Sequence, residues 1–529
     1  MEANLNEEIQ RRRTAAIIAH PDAGKTTLTE KMLLYSGVIH RAGSVKSRKA
    51  DRYATSDWMD MEKERGISIT SSVLQFNYEN CHVNLLDTPG HADFSADTYR
   101  TLVAADSAII VLDGTSGVEK QTYKLFRFCN RHSIPFFIFV NKMDRFGLEP
   151  LDLMDETEKE LGIELNAANW PLGRGNKFRG VYDCKEGRAV LYESAGKHGQ
   201  EELAEQVVAL DSTEFEAAFG PHQAEALREE VELVEIAGSN FEREKFLRGA
   251  QAPVFFGSAQ TNIGVKPFLK RFVDLAPPPR SRGGIEPQKQ EFSGYIFKIQ
   301  ANMDPNHRDR LAFMRVCSGH FEKDMEAQIV RSGKEIKLAQ PRQFMAQERE
   351  VVDRAYPGDV VGLFDPGIFH IGDSISAGFE VEYNEVPRFS PEHFARVKTL
   401  DAFKKKHLRQ GLEELSEEGA IQLFTPWEHG RDETIVGVVG ELQLEVLVYR
   451  LGEEYGVDAE LDILPFNLAR WIEGEDLDLS EFATGAYREL LADKDGYPLL
   501  LFKTEFTFER DQRDHPEVEF HDTAPLHRD

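Results

Sequence analysis

The stretch that decides the fold is Ala15-Ala16-Ile17-Ile18-Ala19-His20-Pro21-Asp22-Ala23-Gly24-Lys25-Thr26. Four apolar residues make a short buried strand, a tight loop follows, and a helix begins near Lys25. This is the layout of a phosphate-binding P-loop. Backbone N–H groups around Gly24 point inward at phosphate oxygens, and the helix N-terminus adds partial positive charge. Lys25 can reach the β- and γ-phosphates, and the Thr26 hydroxyl is placed to ligate Mg²⁺. The expected phosphate site therefore comprises Ala19, His20, Pro21, Asp22, Ala23, Gly24, Lys25, Thr26 and Thr27. Ala19 stands where the usual pattern has its first glycine. Gly-Lys-Thr alone would equally suit a structural turn before a helix, so the reading depends on what lies downstream.

Three further apolar runs end in polar motifs. Val83-Asn84-Leu85-Leu86 leads to Asp87-Thr88-Pro89-Gly90-His91. A carboxylate at the end of a buried strand suits a water-mediated contact to Mg²⁺. Gly90 lets a backbone N–H approach a γ-phosphate. A lone histidine after a turn is usually structural, but directly after D-x-P-G His91 is placed to orient an attacking water. Pro135-Phe136-Phe137-Ile138-Phe139-Val140 leads to Asn141-Lys142-Met143-Asp144. The Asp144 carboxylate can accept two hydrogen bonds from guanine N1 and N2, and adenine would leave it unpaired. Pro253-Val254-Phe255-Phe256 ends at Gly257-Ser258-Ala259, which fits a loop touching guanine O6. With Ser107–Asp113 as a fourth continuous run, these read as buried parallel strands carrying ligand loops at their C-terminal ends. In this order the motifs specify a GTPase domain.

Length and composition set the frame around it. A chain of 529 residues exceeds one core and suits about three or four domains. Its 41% apolar and 29% charged residues are those of a globular protein, and a net charge of −28 argues against non-specific nucleic-acid binding by the whole surface. Local basic patches leave a ribonucleoprotein partner open. Cys81, Cys129, Cys184 and Cys317 form no CxxC pair and read as reduced thiols. The polar N-terminus has no signal-peptide core, and no apolar run reaches the ~18 residues of a membrane helix. A cytoplasmic protein is expected.

Along the chain, Lys31 to Ser56 reads as a polar loop with Lys46, Arg48, Lys49 and Arg52. It ends in Asp57-Trp58-Met59-Asp60-Met61-Glu62-Lys63-Glu64-Arg65-Gly66-Ile67-Ser68-Ile69-Thr70, whose hydroxyls could close on Mg²⁺ and the γ-phosphate. Residues 151–250 turn acidic and are expected to be a largely helical insert within the GTPase domain. Its acidic face could meet a basic ribosomal protein or simply be solvated. Pro277-Pro278-Pro279-Arg280-Ser281-Arg282-Gly283-Gly284 reads as a linker. Phe292 to Ser374 has short alternating runs between turns, as in a small antiparallel barrel. After about Pro387, helical spacing of Leu408, Leu412 and Leu415 alternates with strands, suiting an α+β domain of ferredoxin-like type. There Lys404-Lys405-Lys406 with Arg409 could contact RNA phosphates or be a solvated helix face. Residues 475–529 carry one apolar run, Pro498–Phe502, and no functional reading.

The segments AHPDAGKTT, RGISIT, DTPGHADF, NKMD and FGSA resemble the translational GTPases. SDWMDMEKERGISIT, FKIQANMDPNHRDRLAFMRV and LSEEGAIQLF resemble, within them, the bacterial peptide chain release factor 3 family. The resemblance covers nearly the whole chain and implies three domains. These are a P-loop GTPase domain with a mostly parallel sheet (1–280, with the acidic insert at about 151–250), a β-barrel domain (281–387) and an α+β ferredoxin-like domain (388–529). It implies GTP/GDP and Mg²⁺ as ligands. It implies the ribosome (rRNA and ribosomal proteins) and class-I release factors as partners, the latter removed after peptide release, with no stop-codon reading by this protein. A membrane or DNA partner is not expected, and a monomer is. Lys25 and Thr26 match the phosphate lysine and metal ligand, Asp22 a loop acid near the bridging oxygens, and Asp87 a carboxylate one water removed from the metal. The switch ligand after R-G-I is Ser68, with Thr70 as an alternative. Pro21 and Ile67 match an apolar gate beside the catalytic His91. No arginine finger is evident, so the free protein should hydrolyse GTP slowly. A translocase of the elongation factor G type or a tetracycline-resistance ribosome protection protein would need two further domains, for which 529 residues leave no room. An ATP-using metabolic kinase would not call for Asn141-Lys142-x-Asp144, and a non-catalytic GTP-binding scaffold would not call for His91.

Overall fold

The computed structural model describes residues 4–39, 62, 68–192, 203–301, 310–339, 341–345, 348–383, 390–427, 433–474, 477–482, 484–485 and 487–524. The basic residues of the expected loop and the gate residue Ile67 lie outside the described residues.

The apolar runs form the first sheet: β1 Arg12–Ala19, β2 Ser72–Tyr78, β3 Cys81–Asp87, β4 Ser107–Asp113, β5 Phe136–Asn141, β6 Glu164–Ala167 and β7 Gln251–Phe256. Their order is β2-β3-β1-β4-β5-β7-β6, parallel throughout except for the β2–β3 hairpin. Successive side chains go to opposite faces. Ala16, Ile18, Ile110 and Ile138 enter one core, while Ala15, Ile17, Ile109 and Phe137 enter the other. Both faces are covered, which is why these strands read as unbroken apolar runs rather than alternating ones. Four loops therefore gather at one edge, after β1, β3, β5 and β7.

Three expectations need correcting here. Lys31 to Tyr35 is not loop: helix α1, Lys25–Tyr35, continues through it with Met32, Leu33 and Leu34 buried. The acidic insert is helical only in part, with helices Pro150–Leu161, Thr213–Phe219 and Pro221–Ala237 beside strands that were not expected. Asn169–Leu172, Gly180–Asp183, Arg188–Tyr192 and Glu205–Val208 form a four-stranded antiparallel sheet, alongside the helix Pro221–Ala237. Its strands are short, and they bury Trp170, Val181, Tyr182 and Leu191 between charged turns that dominate the composition. Asp183 Oδ1 caps one such turn by accepting from the Lys185 and Glu186 N–H groups, at 2.9 and 3.0 Å. The proline-rich linker is fastened rather than loose. Arg280 donates to the Ser133 carbonyl at 2.7 Å, and Arg282 donates to the Ala105 carbonyl at 2.6 Å.

The second sheet has eight antiparallel strands around a core of Ile296, Met314, Val316, Val361 and Ile375. Tyr295, Phe297, Leu311 and Phe313 alternate with these and join the core of the GTPase domain. There they meet Leu102, Val103 and Ala104 from helix α2, Ser95–Ala104, which follows the loop after β3. Buried ion pairs stitch the two units. Arg315 donates to Asp106 at 2.5 Å, with the two side chains 1% and 0% exposed. Burial pushes the Asp106 carboxyl up, yet Arg315, Arg282 and Arg280 outweigh it and hold it below the usual carboxylate range.

The third sheet begins as βαββαβ. His393–Thr399 leads to helix α3, Lys405–Glu417, then to Gln422–Pro426 and Ile435–Val438. Helix α4, Glu441–Tyr455, and the strand Ala459–Ile463 complete the unit. The spatial order is fourth, first, third, second, which is ferredoxin-like. The segment after it extends the same sheet: Arg488–Asp493 pairs with Gln422–Pro426, and Pro498–Phe502 pairs with Arg488–Asp493. Leu491, Leu499 and Leu501 bury against Phe394 and Phe424, the face that the helices leave open.

Candidate functional site

The loop after β1 turns through two left-handed residues, Asp22 (φ 66°) and Gly24 (φ 93°). Gly24 is the residue just before helix α1, and a Cβ there would overlap the Asn141 side chain. Glycine is therefore required twice over, by conformation and by space. Ala19, His20 and Ala23 are buried, Pro21 and Asp22 are exposed, and Thr26 and Thr27 are half-buried in the first helical turn. The His20 imidazole faces Glu119 at 3.0 Å, and burial pushes its pKa down against the pull of that carboxylate.

Lys25, 6% exposed, reaches across to Asp87, 2% exposed, and its ammonium donates to Oδ1. The other oxygen, Oδ2, is buried with no partner among the described residues. A buried carboxylate oxygen without a donor costs free energy, on the order of 1–3 kcal/mol or more. A cation or its bound water would answer it, so the donor set of Thr26 and Asp87 fits Mg²⁺. Thr88 is pinned to β1 through its hydroxyl on the Ile17 carbonyl at 2.8 Å, and Thr98 holds the Pro89 carbonyl at 3.2 Å. Gly90 packs on the backbone of His20 and Pro21, its built Cβ 3.5 Å from both. The turn carrying His91 thus rests against the phosphate loop. The His91 side chain is 37% exposed, and its Nδ1 lies 3.2 Å from Asp93 Oδ1.

Asn141 ties two loops together. Its Nδ2 donates to the Ala23 carbonyl and its Oδ1 accepts from the Ala259 N–H, both at 2.8 Å. In the Gly257–Ala259 loop, expected to touch guanine O6, the Ala259 amide is engaged by this side chain. Lys142, itself left-handed (φ 66°), donates to Asp113 Oδ2 at 2.5 Å. Met143 N–H reaches the Gly257 carbonyl at 3.2 Å, and Ser258 Oγ accepts from Thr261 N–H at 3.1 Å. Gly257 has no room for a side chain beside the Phe139 ring and the Ile263 carbonyl. Asp144 Oδ1 is buried with no partner among the described residues. An orphaned carboxylate oxygen beside this loop pair is what two adjacent ring and amino N–H donors would satisfy.

Ser68 and Thr70 are half-buried at the entry to β2. In the same turn, Ile69 N–H and Thr70 N–H both donate to Glu62 Oε1, at 2.8 and 3.2 Å, and Glu62 is fully buried. Glu62 was missed in the sequence because nothing in a charged run distinguishes the one residue that turns inward. Asp113 and Glu119 were also missed as partners. Asp113 had a signal, since it ends an apolar strand as Asp87 does. Lys298 was missed as well. It comes from the second sheet, is buried, donates to the Ser71 carbonyl and stands 3.5 Å from Asp97.

Among the described residues no helix is long and apolar enough to cross a membrane. Three family models match the chain: "Elongation factor Tu GTP binding domain" over residues 10–278, "Elongation factor G domain 2" over 291–378, and "Class II release factor RF3, C-terminal domain" over 383–512. A protein of Symbiobacterium thermophilum named peptide chain release factor 3 is 51% identical over 525 residues, which is 98% of this chain and 99% of that one. One of the same name from Synechococcus elongatus is 49% identical over 530 residues, 99% of this chain and 95% of that one. A crystal structure of a protein from Thermus thermophilus superposes with a TM-score of 0.71 at 24% identity, covering 88% of this chain and 71% of that one, and so shares the fold.

Proposed function

The chain belongs to the peptide chain release factor 3 family of translational GTPases, and from that premise we propose that it binds the ribosome at termination and uses GTP to drive class-I release factors off after peptide release. The observation that carries the catalytic part is the seating of the His91 turn on the phosphate loop through Gly90, above the buried, half-satisfied Asp87.

The residues divide the work as follows. Backbone amides around Gly24 and the Lys25 ammonium hold the β- and γ-phosphates. Thr26, Ser68 and Asp87 would hold Mg²⁺, which would supply positive charge to offset charge building on the phosphate oxygens. Thr70 is the alternative to Ser68. Asp144 takes the guanine N1 and N2 hydrogens, with Asn141, Lys142 and Gly257–Ala259 shaping the base pocket. His91 orients the water, with Pro21 and Ile67 as an apolar gate beside it. The ribosome supplies what the free chain lacks by ordering His91. The protein works in the cytoplasm.

His91→Ala tests the catalytic assignment. Its affinity for a fluorescent GDP analogue should stay within about twofold, while ribosome-stimulated hydrolysis falls by roughly 10² or more. Stimulated turnover that survives the change removes His91 from the mechanism.

A further inference from the structure

The segment carrying Ser68 and Thr70 ends at Ser71, whose polar groups are all engaged. Its N–H and its hydroxyl both donate to Asp97 Oδ2, at 2.7 and 2.5 Å, and Thr101 Oγ1 donates to Ser71 Oγ at 2.8 Å. Asp97 and Thr101 belong to α2, the helix that follows the His91 turn. The Ser71 carbonyl accepts from the Lys298 ammonium, which also stands 3.5 Å from Asp97 Oδ2. Ser71 is 3% exposed and Lys298 4%, so water does not compete for these bonds.

Lys298 comes from the second sheet, and a local irregularity aims it at Ser71. In the strand Ser293–Ala301, Ile296 lies opposite Met314 and Lys298 opposite Phe313, so Phe297 is one residue too many. Strict alternation would send Lys298 to the side of Ile296, into the core of the second sheet. The bulge resets the order: Ile296 and Ile299 both enter that core, while Phe297 joins the core of the GTPase domain and Lys298 reaches Ser71. Bulges bend a strand and re-aim its side chains in this way. Adhesion between the two units would be served as well by apolar residues, and Tyr295 and Phe297 already supply it. Burial pushes the Lys298 pKa down against the pull of Asp97. A lysine held here at that cost has a hydrogen-bonding task.

Resting on the proposed metal role of Ser68, or of Thr70 in its place, we propose that Lys298 is a positioning residue that clamps the Ser71 carbonyl and so fixes the approach of residues 68–70 to the metal and the γ-phosphate. Helix α2 holds Ser71 by its N–H and hydroxyl, and the second domain holds it by its carbonyl. The seating of the second domain is thereby coupled to the triphosphate state. The diphosphate, which lacks the γ-phosphate, is bound by the phosphate loop and the base pocket without this segment.

The test uses the full chain and compares Lys298→Met, Lys298→Met/Asp97→Asn, Arg12→Met, Ser68→Ala and Thr70→Ala. Affinities for fluorescent GDP and for a fluorescent non-hydrolysable GTP analogue are measured in Mg²⁺ beside Tm. Hydrogen exchange is followed over residues 68–76 of the nucleotide-free protein. Lys298→Met should bind the GTP analogue roughly tenfold more weakly, hold GDP within about twofold, and exchange faster over this segment. It also strands the Asp97 charge, so its Tm falls. The double variant removes that charge and should recover Tm while keeping the GTP-selective loss, because the Ser71 carbonyl has still lost its lysine. Arg12→Met breaks the other buried charge bridge to the second domain, Arg12 on Asp359 at 2.9 Å, and should lower Tm with the ratio of the two affinities unchanged. A wild-type ratio or wild-type exchange in Lys298→Met would overturn the proposal. The same selective loss in Arg12→Met would overturn it too, by making the effect a property of the whole interface. If neither Ser68→Ala nor Thr70→Ala weakens the GTP analogue selectively, the failure belongs to the metal reading, and the exchange measurement still decides whether Lys298 holds the segment.

Discussion

At the scale of single residues, the site is recognisable by what its side chains lack. Asp87 and Asp144 each bury one carboxylate oxygen without a partner among the described residues, and in the proposed function the first serves the metal and the second the base. Asp144→Asn exchanges an acceptor for a donor. Affinity for GTP should drop by about a hundredfold or more, since two charge-assisted hydrogen bonds are lost. Affinity for xanthosine triphosphate, which offers a carbonyl where guanine has its amino group, should rise. Competition with the two nucleotides reads both effects, and an unchanged preference for GTP would take Asp144 out of base recognition. The motifs around these residues were legible because each is local and they follow one another in order; a glycine, a lysine and a hydroxyl in succession would not have sufficed alone. Lys298 was not legible as a partner because Ser71 and Asp97 are brought near it only by folding, and Glu62 was not because nothing in a charged run marks the residue that turns inward.

At the scale of elements, Asn141 shows how one side chain at a strand end organises two loops. Its two 2.8 Å hydrogen bonds join Ala23 to Ala259. Asn141→Ala would strand a buried carbonyl and a buried amide, at about 1–3 kcal/mol each. The expected outcome is a drop in Tm in the nucleotide-free protein, together with weaker binding of GTP and GDP alike. A loss confined to GTP would contradict this account, because neither bond involves a γ-phosphate site. The strands of the first sheet were readable because both faces are buried, so continuous apolar runs had no competing interpretation. The insert was misread for the converse reason. Its strands span four or five residues, too few for alternation to show through an acidic background. The tail after Glu473 gave no reading because its strands complete a sheet begun about 80 residues earlier.

At the scale of the whole molecule, buried charge joins the GTPase domain to the second sheet. Asp106 lies between Arg315 and Arg282, 2.5 and 3.5 Å away, with its folded-state pKa held low. A carboxylate depressed in this way contributes stability that is complete above its unfolded value of about 4 and is lost as pH falls through the lower folded value. Denaturant unfolding of the intact chain should weaken below about pH 4. Asp106→Asn should cost about 3–5 kcal/mol at pH 7 by leaving the arginines buried without their counter-charge, and it should flatten the acid limb. An unchanged acid limb would place the titration elsewhere. The order of the fold types was legible from turns and periodicity, but the contacts between them were not. Arg12 on Asp359 and Arg315 on Asp106 join residues 347 and 209 positions apart, with no local pattern to announce them.

The central claim, that this GTPase converts GTP into removal of a class-I release factor, is tested most directly on termination complexes carrying a labelled class-I factor. Release of the label and hydrolysis of GTP are followed together, with and without this protein. The account predicts hydrolysis that is slow alone and rises by several orders of magnitude with ribosomes, and departure of the labelled factor accelerated by GTP. Strong stimulation of hydrolysis with the factor still bound would contradict it.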